Sequence, residues 1–242
     1  MPDTRAHHGP HPEDQQLFAP EAWPRMQAAV MDYSWLLTRD YAAPSGLKIV
    51  GDRYELNQRQ RMAVARSSCS DQAMEARGER RVLPEDMAGS IVSIDGFNLF
   101  TTIEVALGGG VVLVARDECF RDIAGVHGTY RKVDETAPSI LLAGKALSSL
   151  RVSEAVWYLD KPVGNSGRLR SMLLKTAREQ RWNWQIELVT NPDSVLIEAQ
   201  SVVASADSVI LDRCGKWVNL ARHVITTHVL EARVVPMAPK SG

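Results

Sequence analysis

Four aspartates stand at or beside the ends of short apolar runs after residue 90, where a β-strand would give way to a loop. They are Asp95, Asp117, Asp160 and Asp207. Converging carboxylates repel one another unless a cation neutralises them, and oxygen ligands suit Mg²⁺ or Mn²⁺. Such an ion can activate water and stabilise charge on a phosphoryl group. The pattern predicts a divalent-metal site, with helix capping or turn formation as the structural alternative for each aspartate.

A second candidate site follows Asp160, in the loop that precedes a basic helix. The residues concerned are Asn165, Ser166, Gly167 and Arg168. Backbone N–H groups at a helix start, with a hydroxyl and a guanidinium beside them, are typical of a phosphate site. The GxxxxGK[ST] spacing of a Walker loop is absent. The structural alternative is a tight turn in which Asn165 or Ser166 caps the helix.

The elements that would position these residues alternate in type after Ser90. Predicted strands cover residues 91–94, 111–114, 155–159, 186–189 and 208–211, and the clearest predicted helices cover 138–150, 167–181 and 216–228. The alternation predicts an α/β fold with a mostly parallel sheet and helices on both faces. Right-handed crossovers then bring the strands' C-terminal ends to one edge, where ligands bind. Asp207 fits that edge better if the fifth strand begins at residue 201, because residues 204–207 then form its exit loop.

The N-terminal part of the chain has a different pattern. Apolar residues recur at helical spacing between residues 24 and 41, and a second helix is predicted over 57–74 with Asn57 as its N-cap. We therefore expect a polar, disordered tail at 1–16, a small helical unit at 17–88, and the α/β domain at 89–242. Arginines of the helical unit could contact nucleic-acid phosphates, but nearby acids favour a solvated or interdomain-facing surface.

Composition limits the class of protein. The chain is 45% hydrophobic and 24% charged, with a net charge of −1, which excludes a strongly basic nucleic-acid scaffold. The sequence has neither an apolar run long enough to span a membrane nor the apolar centre of a signal peptide near its start. Its three cysteines are too far apart to suggest a disulfide framework or metal site. We expect a cytoplasmic protein with reduced thiols and no membrane partner.

Several segments resemble known families. Val50-Gly51-Asp52-Arg53-Tyr54, Arg59-Gln60-Arg61, Cys69-Ser70 and Ile94-Asp95-Gly96-Phe97-Asn98 resemble an uncharacterised bacterial and archaeal family. Its two parts are known only as domains of unknown function, the first numbered four-three-four. This resemblance covers nearly everything after the tail and implies no established activity.

A more distant resemblance concerns the chemistry. Asp95-Gly96-Phe97-Asn98 is similar to the Asp-Gly-Tyr-Asn opening of NYN-type ribonucleases, relatives of PIN-domain nucleases, and Ala204-Ser205-Ala206-Asp207 resembles the Ser-Asp near the end of their sheet. These families cut RNA with a divalent metal held by strand-end acids. The resemblance implies that Asp95 is the central metal ligand and Asn98 an orienting partner. Asp160 and Asp207 would be further ligands or a water-positioning base. The chain departs from the Ser-x-Asp-x-Asp form, because Val209 and Ile210 stand where a second acid is expected.

The leading hypothesis is a PIN/NYN-like domain that acts as a metal-dependent RNA phosphodiesterase with Mg²⁺ or Mn²⁺. One alternative is a non-catalytic RNA- or protein-binding module on the same fold. Another is a nucleotide-handling enzyme that uses the Asn165-Ser166-Gly167 loop to hold phosphate.

Overall fold

The computed structural model describes residues 9–124, 130 and 132–239. Its helices are α1 (Asp14–Leu17), α2 (Trp23–Thr38), α3 (Ala43–Arg53), α4 (Gln58–Ser67), α5 (Asp71–Arg80), α6 (Gly96–Leu107), α7 (Thr136–Ser149), α8 (Ser166–Gln180), α9 (Pro192–Glu198), α10 (Ser208–Arg213) and α11 (Leu220–His228). Its strands are β1 (Ile91–Asp95), β2 (Val111–Val114), β3 (Phe120–Asp122), β4 (Glu154–Asp160), β5 (Trp184–Val189), β6 (Val202–Ala204), β7 (Trp217–Val218) and β8 (Arg233–Pro236). Within these residues, no helix combines the length and the apolar character needed to cross a membrane.

The main sheet confirms the predicted α/β fold. Its strand order is β5-β4-β1-β6-β7, and every pair is parallel. Numbered along the chain, this order is 3-2-1-4-5, so the direction of winding reverses between β1 and β6. In open α/β sheets, the crevice outside the strand ends at such a reversal is the usual ligand site.

Helices cover both faces of this sheet because its strands carry apolar side chains on both sides. On one face, α6, α7, α8 and α11 pack over Val92, Ile94 and Trp157, with the Phe100 ring stacked on Trp157 at 4.9 Å. On the other face, α9 and α10 pack over Val203 and Trp217. The central position of β1 between β4 and β6 fixes the place of Asp95 at its C-terminal end.

The predicted strand at residues 111–114 forms, but the expectation that it joins the parallel sheet is wrong. It is β2, the middle of a separate sheet ordered β3-β2-β8, antiparallel to β3 and parallel to β8. An apolar run is equally suited to either sheet, so the sequence does not show which one it joins. The parallel neighbour of β2 is β8, near the end of the chain. The N-terminal helices pack on this sheet through Val30 and Val64, which share a core with Leu113 and Val235.

Three further expectations near element ends need correction. The predicted helix over 57–74 is two helices, α4 and α5, although Asn57 does cap the first of them. The predicted strand over 208–211 is the helix α10, whereas the alternative strand beginning near residue 201 is confirmed as β6. Residues 1–8 of the predicted tail lie outside the described residues. At its other end Asp14 is buried and pairs with Arg59 at 2.5 Å, so order begins before residue 17.

Candidate functional site

Asp95 ends β1 and also caps α6. Its Oδ1 accepts a hydrogen bond from the Asn98 backbone N–H at 3.4 Å, and its Oδ2 accepts one from the Ser205 hydroxyl at 2.9 Å. The side chain is only partly exposed. Burial raises the pKa of Asp95 to about 7, the two hydrogen bonds lower it in part, and the charges of Asp207 and Asp193 raise it further. A recessed carboxyl that titrates near neutral pH is a candidate for binding or acid–base chemistry.

The glycine after Asp95 allows α6 to begin close to β4. A Cβ at Gly96 would lie 2.5 Å from the Leu159 Cδ2 and 3.2 Å from the Tyr158 carbonyl oxygen. A side chain at this position would displace the Leu159 side chain and crowd the β4 backbone at Tyr158. The Asp-Gly pair therefore keeps the capped start of α6 close to the end of the sheet.

The exit loop of β6 lies beside Asp95, as expected. Asn98 accepts a hydrogen bond from the Ala206 N–H at 3.0 Å through its Oδ1, and the Asp207 N–H donates to the Ser205 hydroxyl oxygen at 3.1 Å. Asp207 also caps α10, because its Oδ1 accepts from the Val209 N–H at 2.7 Å. The structure thus brings Asp95, Asn98 and Asp207 together through one continuous set of hydrogen bonds.

Two more carboxylates lie at this edge, and one of them was not anticipated. Asp160 ends β4 and is partly exposed, but its Oδ1 is buried and has no hydrogen-bond partner among the described residues. Asp193 lies in the first turn of α9, after β5. Its pKa is raised mainly because part of the carboxyl is removed from water, and then by the charges of Asp207 and Asp160. Its position after a fourth predicted strand was the available signal for it.

The acids share an edge without forming a ready-made coordination shell. Among residues 9–124, 130 and 132–239, no group of three or more His, Cys, Asp or Glu side chains is arranged to hold a metal ion. Asp95 and Asp207 are turned toward hydrogen-bond donors of the exit loop and of α10. The oxygen-only donors suit Mg²⁺ or Mn²⁺ in kind, and binding would require these side chains to reorient.

Asp117, expected at the same edge, lies elsewhere. It follows β2 in the second sheet, in the turn before β3, and its carboxylate is buried between Arg77 and Arg121. Burial alone would raise the pKa of Asp117, but the two guanidinium groups hold it well below its ordinary value. A carboxylate neutralised by two arginines has little attraction for a cation, so Asp117 is the counter-ion of a structural network.

The predicted phosphate loop forms a turn whose Asn165 and Ser166 side chains bond to backbone carbonyls. Asn165 has left-handed backbone (φ 69°), and its side-chain amide donates to the Tyr130 carbonyl at 2.9 Å rather than capping α8. The Ser166 hydroxyl is buried and lies 3.4 Å from the Lys161 carbonyl oxygen. Gly167 and Arg168 are exposed at the start of α8. Of the four predicted residues, Ser166 is buried, whereas Asn165, Gly167 and Arg168 are exposed.

Comparison with known proteins agrees with the predicted family. The family model for a domain of unknown function, DUF5616, matches residues 84–223, and that for a protein of unknown function, DUF434, matches residues 25–80. An uncharacterized protein of Methanocaldococcus jannaschii is 30% identical over 190 residues, which cover 77% of this chain and 88% of that protein. No solved structure matches the chain. The chain therefore belongs to the family that these two domains of unknown function define.

Proposed function

We propose that the chain is a metal-dependent RNA phosphodiesterase whose site lies outside the ends of β1 and β6. The observation that carries the proposal is Asp95, a recessed acid at the reversal of strand order, under the influence of neighbouring carboxylates. An acid kept at such a place despite the cost of burial is more readily explained by a ligand than by stability. The resemblance of residues 95–98 to NYN-type ribonucleases supports RNA as the substrate.

The residues at the C-terminal edge of the main sheet would have separate roles in binding the metal and orienting its ligands. A bound Mg²⁺ or Mn²⁺ would supply an activated water and stabilise charge on the phosphoryl group. Asp95 would be its central ligand, with Asp160, Asp193 and Asp207 as further ligands or as the base that orients the water. Ser205 orients the Asp95 carboxylate, and Asn98 holds the exit loop through Ala206.

Exposed cations beside the acids would hold the substrate. Arg168 stands at the start of α8, and Lys161 follows Asp160 directly; both are exposed. Unpaired N–H groups in the first turn of a helix favour a phosphate, and a guanidinium adds a charge-assisted donor. RNA phosphate bound there would lie beside the acidic edge, so the basic and acidic groups would act on neighbouring parts of one substrate.

The test is RNA cleavage by the purified protein, using labelled single-stranded and duplex RNAs with and without Mn²⁺. Asp95→Asn should abolish cleavage and Mn²⁺ binding measured by calorimetry, while the circular dichroism spectrum stays that of the parent. The substitution removes a charge without opening a cavity. Asp86→Asn, which changes an exposed acid ahead of β1, is the control and should behave as the parent. Equal Mn²⁺ binding by Asp95→Asn and the parent would contradict the proposal.

A non-catalytic RNA-binding module is the second candidate, and one observation favours it. No three-ligand group is arranged for a metal within the described residues, and Asp207 serves as a helix cap. In that case the parent would retain RNA through Arg168 and Lys161 in chelator and in Mn²⁺ alike, with no cleavage in either. The same incubation therefore separates the two candidates.

A further inference from the structure

Arg121 lies on β3, and its buried guanidinium joins the second sheet to the loop that carries Asp207. Its Nε donates to the Ala206 carbonyl oxygen at 2.7 Å. Its two terminal nitrogens donate to the two carboxylate oxygens of Asp117, at 2.8 and 2.7 Å. The Arg121 side chain is 9% exposed and that of Asp117 is 2% exposed. One planar group therefore fixes a loop carbonyl and a buried carboxylate at the same time.

Arg77 completes this network from the N-terminal helices. From α5 it donates to Asp117 at 2.5 Å through its Nη1 and to Asp212, in α10, at 2.8 Å through its Nε. Its side chain is 2% exposed. Two arginines and two aspartates balance in charge, which limits the cost of burying the two guanidinium groups and Asp117, while Asp212 stays exposed. The network thus anchors α10 at Asp212 and, through Arg121, the loop that precedes it.

The loop is held at Ala206 from two sides. The Ala206 N–H donates to Asn98 at 3.0 Å, and its carbonyl accepts from Arg121. On one side of Ala206, the Ser205 hydroxyl donates to Asp95; on the other, Asp207 caps α10. A shift of the Ala206 peptide would therefore move both the donor to Asp95 and the neighbouring acid.

We infer that Arg121 is a positioning residue for the candidate site, acting through the Ala206 carbonyl to hold the Ser205 hydroxyl against Asp95. Asp117 and Arg77 fix the orientation of its guanidinium. The effect of Arg121 on catalysis rests on the proposed function, but the contact between Ser205 and Asp95 can be measured without any substrate or metal.

Arg121→Lys is the principal variant. Lysine keeps a positive charge beside Asp117, but one ammonium group cannot reproduce the paired contact and reach Ala206 as well. The Ser205 hydrogen bond lowers the pKa of Asp95 more than the Asp207 charge raises it. Loss of that bond should therefore raise the Asp95 pKa by roughly one unit. Carboxyl-carbon NMR of the metal-free protein measures this pKa. Mn²⁺ affinity should fall by about tenfold.

Arg66→Lys is the matched control. Arg66 donates to the carbonyls of Asp122, on β3, and of Ala124 just beyond it, at 2.8 and 3.0 Å, but does not contact the exit loop. Arg66→Lys should therefore leave the Asp95 pKa as it is in the parent. Ser205→Ala should raise the Asp95 pKa, and adding Arg121→Lys to it should raise it no further, because both changes remove the same hydrogen bond.

An Asp95 titration that is the same in Arg121→Lys and the parent would overturn the inference, whatever the change in melting temperature. If Arg121→Lys does not fold, Arg77→Lys serves instead, since it loosens Asp117 and α10 behind Arg121. It should raise the Asp95 pKa in the same direction, and an unchanged value would again overturn the inference. If the parent binds no Mn²⁺, the proposed function fails while the NMR titration still decides the role of Arg121.

Discussion

Asp95 lowers the free energy of unfolding at neutral pH, in addition to the chemical role proposed for it. Its pKa in the folded chain is about 7, above the ordinary value of 3.8, because burial disfavours its charged form. Each pKa unit corresponds to about 1.4 kcal/mol. Solvent reaches part of the side chain and reduces the effect, so the cost at neutral pH is a few kcal/mol at most.

The sign of this effect gives a prediction for Asp95→Asn. A raised pKa means that the folded chain binds the proton more tightly than the unfolded chain. The Asp95 contribution to the free energy of unfolding is therefore greatest below about pH 4 and is lost as pH rises to about 7. Asparagine resembles the protonated acid at every pH. In urea unfolding with chelator, the variant should match the parent near pH 4 and exceed it by about 1–3 kcal/mol at pH 8. A difference that does not change with pH would contradict this account.

Among single residues, the sequence predicted some of the acids at this edge of the sheet and overlooked or misplaced others, for physical reasons. Asp95 and Asp160 could be predicted because each ends an apolar run that forms a strand of the parallel sheet. Asp193 also follows a predicted strand but was not singled out, because it comes only after a turn through Asn191 and Pro192, where an exposed aspartate is ordinary. Asp117 was misplaced because β2 joins the second sheet, and one of its two neutralising arginines, Arg77, lies 40 residues away, where no local pattern encodes the contact.

At the scale of elements, α10 shows how one side chain can support a helix and a site together. Asp207 accepts hydrogen bonds from the N–H groups of Val209 and Ile210, which explains why residues 208–211 form a helix instead of the predicted strand. A short apolar run does not distinguish a buried strand from a buried helix, and here the capping aspartate decides. The same carboxylate lies at the acidic edge of the sheet.

Two substitutions at Asp207 should separate these roles. Asparagine caps helices about as well as aspartate, so Asp207→Asn should change the free energy of unfolding by only a few tenths of a kcal/mol. Asp207→Ala loses the cap and should cost about 1 kcal/mol. Both remove the charge and should weaken Mn²⁺ binding, measured by calorimetry. Parent-like Mn²⁺ affinity in Asp207→Asn would show that Asp207 is a helix cap alone.

The start of α8 offers a second prediction at this scale. Arg168→Ala should weaken RNA binding and lower the slope of log affinity against log salt by about one phosphate contact. Arg181, exposed at the other end of the same helix, provides the control: Arg181→Ala should leave the slope unchanged. Fluorescence anisotropy with a labelled single strand over a range of salt concentrations measures both. An unchanged slope for Arg168→Ala would mean that the loop is only a turn.

At the scale of the whole molecule, the N-terminal helices and the α/β part are joined by shared burial and by charge. Val30 and Val64 pack into one core with Leu113 and Val235 of the second sheet. Arg77 reaches from α5 to Asp117 and to α10. The patterns in the sequence predicted an N-terminal helical region followed by an α/β part, and the structure has both. The sequence did not indicate that β2 would pair with β8 in a second sheet under the helices, because that pairing depends on contacts between distant segments.

A shared core predicts that the described parts unfold together. Val64→Ala removes two buried methyl groups in α4 and should lower stability by about 2 kcal/mol. Pulsed hydrogen exchange across a urea series should give peptides from α2 and from β1 the same midpoint, and Val64→Ala should lower both equally. Ile140→Val, in the core of the main sheet, should also lower both, because cooperative unfolding does not depend on which part is weakened. Separate midpoints, with Val64→Ala moving only that of α2, would instead make the N-terminal helices an independent unit and leave Arg121 without support from Arg77 once they unfold.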